Sequence, residues 1–325
     1  MQNIAVLTHN ADIDGVGSAV MLRIKYNLPT DRLFFSSYAK EDILYAERRI
    51  RKFYRKGFVL FITDLSLNDP VIPVWHEIIK RVRSKGGSVI WFDHHPWSDE
   101  AIQKVARLCD AAIVGENENF CATEIARREL GLKDKFTEEF ARIVHYSDFN
   151  LKADTKRHGE FVKHYALSIA SFTKSMPNSS IHKSLRGMVS TISGGKFVDS
   201  KIINTSKKFE LENNRKISAM LNELQLLGKN IALGFATGVQ STQACGAIIR
   251  KSGKDIAIVI DPKEGKASIR SRISDISGLA KRMGGGGHPH AAGFEIDKRK
   301  YPLSSRPGRK RVVERIEKEA SITML

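Results

Sequence analysis

Four short apolar runs, "NIAVL", "RLFFSS", "FVLFIT" and "SVIWF", precede Asp93, and amphipathic segments over Gly17–Tyr26, Asp42–Arg55 and Val71–Ser84 separate them. Runs too short for helices that alternate with helix-length segments predict βαβ units. Such units build a parallel, twisted sheet covered on both faces. Right-handed crossovers then bring every strand C-terminus to one edge, where open α/β sheets place their sites. In order, those ends read "THNADID", a loop holding Tyr38, "TDLS" and "DHHP". Three of the four deliver acidic or histidine side chains to the same edge.

Beyond this region the pattern changes. From about Asn150 to Leu227 it is helical and irregular, with polar breaks at "KSMPNSS" and "SGGK", and "KISAMLNELQLLG" predicts a helix capped by Gly228. Four strand-like runs follow, "NIALGFAT", "ACGAIIR", "DIAIVID" and "KASIRSR", and then "DISGLAKRMGGGGHPHAAGFEI". These describe a second, smaller α/β domain, and a basic tail ends the chain.

The formal charge is +17, with dense basic stretches at Arg48–Lys56, Lys80–Lys85 and in the tail. A field of that size attracts polyanions and favours nucleic acid over a neutral metabolite. Cys109, Cys121 and Cys245 are far apart and form no CxxC pair, so neither a disulfide framework nor a thiolate zinc site is indicated. The N-terminus shows no basic region followed by a long apolar one, and no run approaches the roughly 18 apolar residues of a membrane span. A soluble, cytoplasmic protein without membrane contact is expected.

His9, Asp12 and Asp14 alone are an ordinary polar turn. With Asp64, Asp93, His94 and His95 at neighbouring strand ends, and Asp148 after an amphipathic helix in "ARIVHYSDFN", they become a cluster of carboxylates that repels itself unless cations neutralise it. Carboxylate and imidazole donors without thiolate suit Mn²⁺, Mg²⁺, Fe²⁺ or Zn²⁺, and an oxygen-rich set favours Mn²⁺. Six or seven donors exceed one ion and suit two ions about 3.5–4 Å apart, a pair that activates water and clamps phosphate oxygens for attack. Phosphoester hydrolysis is the chemistry indicated. In the second domain, four consecutive glycines, Gly284, Gly285, Gly286 and Gly287, let the backbone approach an anion, with His288 after them. Arg270 and Arg272 fall on one face of a strand with Ser271 opposite, placing guanidinium groups to grip a phosphate. His76, His158, His164 and His182 read as surface or helix residues, and Tyr38 either stacks on a base or packs.

"HNADIDGVGSA", "ITDLS", "WFDHHP" and "HYSDFN" resemble motifs I to IV of the DHH phosphoesterase superfamily, and "GGGGHPHAAGF" resembles the signature of its DHHA1 domain. The five elements stand in order over Asn3 to Ile296. The resemblance implies a DHH catalytic domain over 1–150, a helical connector over 151–227, a DHHA1 substrate-binding domain over 228–297 and a basic tail over 298–325, with the active site in the cleft between the domains. It implies a centre of two Mn²⁺ ions, with Mg²⁺ the second choice. His9 and Asp12 would bind one ion, Asp14, His94 and Asp148 the other, and Asp64 would bridge. Asp93 and His95 would support these ligands or face the scissile phosphate.

Superfamily pyrophosphatases lack the glycine-rich signature. The nanoRNase and cyclic dinucleotide enzymes carry Asp-Thr-Gly and an aromatic in the fourth motif, where this chain reads "SDFN". Together with the charge, this favours a RecJ-like exonuclease on single-stranded DNA or RNA, similar to the short archaeal members and acting from the 3′ end in repair or replication. A nanoRNase, an adenosine bisphosphate phosphatase or a cyclic dinucleotide phosphodiesterase is the runner-up, and an inactive nucleic-acid-binding scaffold is third. The helical region and tail are the expected contact for a repair helicase or nuclease partner, and for a homo-oligomer.

Overall fold

A computed structural model describes residues 3–67, 69–114, 119–149 and 151–321. The chain forms two compact units, Met1–Lys207 and Lys208–Leu325.

In the first unit, β1 (Ile4–His9), α1 (Ile13–Tyr26), β2 (Leu33–Ser36), α2 (Lys40–Ile50), β3 (Val59–Thr63), α3 (Ile72–Ser84), β4 (Ser88–Asp93), α4 (Asp99–Lys104) and β5 (Ala111–Val114) alternate as expected. The strands make a parallel sheet in the order β2-β1-β3-β4-β5. Side chains alternate across it with the period of two that strands impose. Val6, Phe35, Phe61 and Phe92 enter one core, whereas Leu7, Phe34, Leu60, Ile62 and Trp91 enter the other. Because both faces are buried, the strands read as continuous apolar runs. The short edge strand β5 is only half-buried, and its four residues carried no such signal.

Helices α5 (Ala122–Glu129), α6 (Lys135–Asp148), α7 (Lys156–Ser175), α8 (Asn178–Ser193) and α9 (Ser200–Leu221) follow. Residues of α5 to α8, among them Ile125, Phe140, Tyr165 and Leu185, pack with α1 into the core on one face of the sheet. The two glycines of "DGVGSA" let α1 sit close. A Cβ on Gly15 would lie 2.3 Å from the His9 carbonyl oxygen, and one on Gly17 would lie 2.4 Å from Thr123 Oγ1.

The second unit contains β6 (Gln225–Leu227), β7 (Ile231–Phe235), α10 (Ser241–Ser252), β8 (Ile256–Asp261), β9 (Lys266–Ser271), α11 (Ser277–Arg282), β10 (Gly286–His288), β11 (Ala291–Glu295) and α12 (Arg306–Ser321). Its sheet runs β10-β11-β9-β8-β7-β6, with β7 and β8 parallel and the other pairs antiparallel.

Three local expectations are corrected here. "ACGAIIR" is not a strand but lies in α10, where Ala244, Cys245 and Ile248 recur at helical spacing on the buried face and Gly253 closes the helix at φ 70°. "KISAMLNELQLLG" is helical only to Leu221. Its last residues form β6, and Gly228, at φ 52°, turns a hairpin into β7. The strand β9 ends at Ser271, so Arg272 lies in the following bend and does not share a strand face with Arg270. The basic tail folds as α12, whose Val312, Val313 and Ile316 enter the core of the second unit.

Candidate metal centre

Register fixes the frame. Thr8 of β1 pairs with Thr63 of β3, and Thr63 with Phe92 of β4, so His9, Asp64 and Asp93 stand level at the strand ends. Thr63 donates to Thr8 Oγ1 at 2.8 Å, and Thr8 donates to the Gly15 carbonyl at 2.7 Å, tying two strands to the first turn of α1.

Asp12 caps α1, accepting from the N–H groups of Asp14 and Gly15. Its other oxygen stands 3.6 Å from His9 Nε2. Asp14 is 1% exposed, and its oxygens accept from the N–H groups of Ala122 and Thr123 at 2.8 and 2.7 Å. The N-terminus of α5 thereby compensates a buried negative charge. Asp64 has no such support. It is 2% exposed in the left-handed region at φ 53°, and its Oδ2 has no hydrogen-bond partner. Burial, followed by the charges of Asp12, Asp14 and Asp148, pushes its carboxyl well above the usual range.

His94 Nε2 is the hub. It lies 3.8 Å from Asp14, 3.9 Å from Asp64 and 3.5 Å from Asp148, yet is hydrogen-bonded to none of them. Burial lowers its imidazole against the pull of Asp14. Asp148, at the end of α6, is pushed up to about 8 by burial and by Asp14 and Asp12. Two groups of donor atoms gather within 4.8 Å of one another, Asp14 with His94 and Asp148, and Asp64 with His94 and His95. The unpartnered buried atoms Asp64 Oδ2 and His94 Nε2, aimed into a set of oxygen and imidazole donors, are what a divalent cation requires. The residues present therefore fit a metal. The first group contains the three residues expected to share an ion, while His9 and Asp12 stand beside the two groups, paired with each other.

The other two residues of "DHH" divide their work. Asp93 is fully buried and accepts from His95 Nδ1 at 2.8 Å and from Trp97 Nε1 at 2.7 Å, so it orients His95. Burial opposes charge on His95, but the bond to Asp93 and the charges of Asp93, Asp148 and Asp12 outweigh it and push the imidazole up to about 9.

Other neighbours complete the surroundings of these groups. Tyr38 stacks on His9 at 4.3 Å between ring centroids. Glu124 accepts from the Cys121 N–H and lies 2.8 Å from His145 Nδ1. Its signal was the "CATE" spacing, a capping box with cysteine in place of serine or threonine. Of the histidines read as surface or helix residues, His158 on α7 and His182 on α8 are helical and buried. His158 is clamped between Asp154, four residues before it, and Glu139 on α6.

In the second unit, three of the four glycines are demanded by the fold. Gly284 adopts φ 88° after α11, a Cβ on Gly285 would fall 2.0 Å from the Gly293 carbonyl oxygen, and Gly287 adopts φ 137° with its Cβ position 2.5 Å from the Ala291 carbonyl oxygen. Gly286 faces open space. His288 belongs to β10 by its backbone, and its side chain lies outside the described residues. Arg270 is largely withdrawn from solvent and donates to the Ile269 carbonyl; Ser271 bonds to the Ser274 carbonyl and lies 3.1 Å from His290 Nδ1. Burial lowers the Arg270 guanidinium. Arg272 is exposed.

The chain thus joins a parallel sheet, whose strand ends gather carboxylates and imidazoles, to a mixed-sheet unit with a glycine-rich edge strand. Residues 229–318 match the DHHA1 domain model. No curated protein matches the chain in sequence. Among solved structures, RecJ of Thermus thermophilus in complex with Mn²⁺ is similar at 15% identity and a TM-score of 0.57, over 97% of this chain and 52% of that one. The chain thus spans about half the length of RecJ. A pGpG-specific phosphodiesterase, PggH of Vibrio cholerae, is similar at 13% identity and a TM-score of 0.53, over 97% and 99% of the two chains. An exopolyphosphatase-related protein of Bacteroides fragilis is similar at 14% identity and a TM-score of 0.50, over 97% and 93%. Residues 229–318 thus carry a DHHA1 domain, and the chain as a whole shares its fold with these structures. No helix among the described residues is long and apolar enough to cross a membrane.

Proposed function

We propose that the chain is a metal-dependent phosphodiesterase that removes nucleotides from an end, the 3′ end by preference, of single-stranded DNA or RNA, with a role in repair or replication. The observation that carries the hydrolase reading is the convergence of Asp14, Asp64, Asp148 and His94 around unpartnered buried donor atoms. His9, Asp12, Asp14, Asp64, His94 and Asp148 would hold the ions, with Mn²⁺ the favoured metal. When bound, such ions supply Lewis-acid activation of water and neutralise phosphate charge. The chain's own residues do the rest. Asp93 fixes the His95 ring through Nδ1, and an imidazole so held suits a phosphate oxygen. Asp14, held at the N-terminus of α5, ties the ligand set to the core.

The choice of a longer strand rests on the net charge of +17, since each backbone phosphate uses one cation. One observation favours a second reading, a dinucleotide or short-oligonucleotide enzyme: the likeness to PggH extends over nearly all of both chains. A scaffold without activity is disfavoured because all six expected metal ligands are present.

End-labelled dinucleotide, hexamer and a strand of about thirty nucleotides, incubated with Mn²⁺, separate these readings. The proposal expects the long strand to be trimmed, with a rate that falls steeply as salt rises, and Asp93→Ala combined with His94→Ala to be inert. Preference for the dinucleotide at high salt establishes the second reading. Equal inertness of wild type and double variant on every substrate removes the enzyme reading.

A further inference from the structure

The open edge of the first sheet carries a charge arrangement that the metal centre does not use. The edge strand β2 presents Phe34 to one face and Phe35 to the other. Arg49, near the end of α2, and Arg186, on α8, both lie over the Phe34 ring, their guanidinium carbons 5.9 and 5.4 Å from its centroid. Arg49 also lies 5.6 Å from the Tyr45 ring. Arg186 is anchored by donating to the Leu33 carbonyl at 2.8 Å.

Neighbouring arginines on the same side of the unit are ion-paired, since Arg51 and Arg81 share the buried carboxylate of Glu47 at 2.6 and 2.7 Å. Arg49 and Arg186 have no ion pair among the described residues, although both are half-buried. Close enough to feel the charge of both lies His182, 5% exposed, whose Nδ1 is buried without a hydrogen-bond partner. With Asn10, Phe35, Asp42, Tyr45 and Ile181 it lines a cavity of about 10 Å³, room for one water. Burial and the two arginines hold its imidazole down to about 4, against the opposing charge of Asp42. Two half-buried like charges over one ring, with an uncharged histidine beside them, are unfavourable by themselves and are relieved by an anion. Asn10 directly follows His9, and His9 pairs in register with Ser36, the last residue of β2, so the cluster adjoins the metal centre.

We propose that Arg49, Arg186 and His182 form a phosphate-binding subsite that holds the backbone of a nucleic-acid strand beyond the nucleotide being removed. This rests on the nuclease reading of the metal centre and deepens it by giving the site a reason to prefer more than a dinucleotide. The half-buried ring of Tyr45 beside the Arg49 guanidinium suits a nucleotide chain better than bare polyphosphate.

The test compares wild type, Arg49→Gln with Arg186→Gln, and Arg49→Lys with Arg186→Lys, each checked for an unchanged thermal transition. For the glutamine pair, kcat/KM on a single-stranded dodecamer should fall about tenfold or more, that on a dinucleotide should stay within about twofold, and the salt dependence of dodecamer binding should weaken by about one to two contacts. The lysine pair, keeping the charge, should retain most of the salt dependence. Anisotropy of a labelled dodecamer in EDTA reads binding without hydrolysis. If wild type cleaves nothing but binds the dodecamer, and the glutamine pair loses that binding, the subsite stands and the nuclease reading falls. If wild type cleaves and the glutamine pair binds equally well, or both substrates lose rate equally, the subsite falls alone. Stronger displacement of the dodecamer by inorganic polyphosphate than by unlabelled dodecamer overturns the nucleic-acid assignment.

Discussion

Replacing Asp148 with asparagine should stabilise the metal-free protein while removing its response to metal. The Asp148 carboxyl is 18% exposed and pushed up to about 8, compared with an ordinary value of 3.8. In the unfolded chain it is ionised at pH 7, and folding must neutralise it or bury the charge. The gap from 3.8 to pH 7 is just over three units, and at about 1.4 kcal/mol per unit it sets a ceiling of about 4 kcal/mol. Partial exposure brings the working figure below that ceiling. The sign follows from a folded value raised above the unfolded one. The penalty is absent below 3.8, grows as pH rises, and stops growing above about 8. In EDTA, Asp148→Asn should therefore be more stable than wild type, with a difference that widens from pH 5 to pH 8. Saturating Mn²⁺ should reverse the order, because a hundredfold excess over Kd stabilises wild type by about 2.7 kcal/mol and the variant by much less. All three tryptophans, Trp75, Trp91 and Trp97, lie in the first unit, so urea unfolding followed by tryptophan fluorescence reports the unit that holds the site. A variant less stable than wild type in EDTA at pH 7, or a difference that does not change with pH, would refute the reasoning.

Three further outcomes follow from single contacts. Trp97→Phe removes the donor to Asp93 Oδ2 and should cost about 1.5–3 kcal/mol, more than Trp91→Phe, whose Nε1 donates only to the neutral Leu65 carbonyl; equal losses in urea denaturation would contradict this. His182 is uncharged in the fold and protonated in the unfolded chain below about 6.5, so wild type should lose up to about 3 kcal/mol as pH falls from 6.5 to 4. His182→Gln should flatten that acid limb, and an unchanged pH profile would show that His182 does not cause it. Gly285→Ala and Gly287→Ala should each destabilise the second unit by about 1–3 kcal/mol through backbone collision, whereas Gly286→Ala should be nearly neutral in stability. Circular dichroism melts of the three variants check the ranking.

The strand ends were legible because topology leaves little freedom. Once "SVIWF" is a parallel strand, Asp93, His94 and His95 must arrive at the same edge as His9 and Asp64. The division of labour among them was not legible. Asp93 is engaged by Trp97, four residues later, and that contact depends on how the chain reverses after Pro96. "ACGAIIR" failed for a different reason, since a short apolar run has no period long enough to separate strand from helix. His182 was unreadable because its surroundings come from α2, α8 and the residue after β1, which are joined only by the fold.

The unread contacts also rank the acids of the centre. Asp14, Asp64 and Asp148 look equivalent in the sequence, yet only Asp14 receives two N–H donors from a helix N-terminus, and those donors are the first residues of α5, which packs on α1. Asp14 is thus held in place by the core whether or not a cation is bound. Asp64, strained at φ 53° with an unpartnered oxygen, and Asp148, raised to about 8, have no comparable support, and a cation is the group that would supply it. Loss of the Asp14 carboxylate should accordingly disturb α5 as well as metal binding, whereas loss of the Asp148 carboxylate should leave the start of α5 undisturbed. Hydrogen exchange at the Ala122 and Thr123 amides in Asp14→Ala and Asp148→Asn distinguishes the two. Faster exchange in both variants, or in neither, would place Asp14 among the acids held only by the metal.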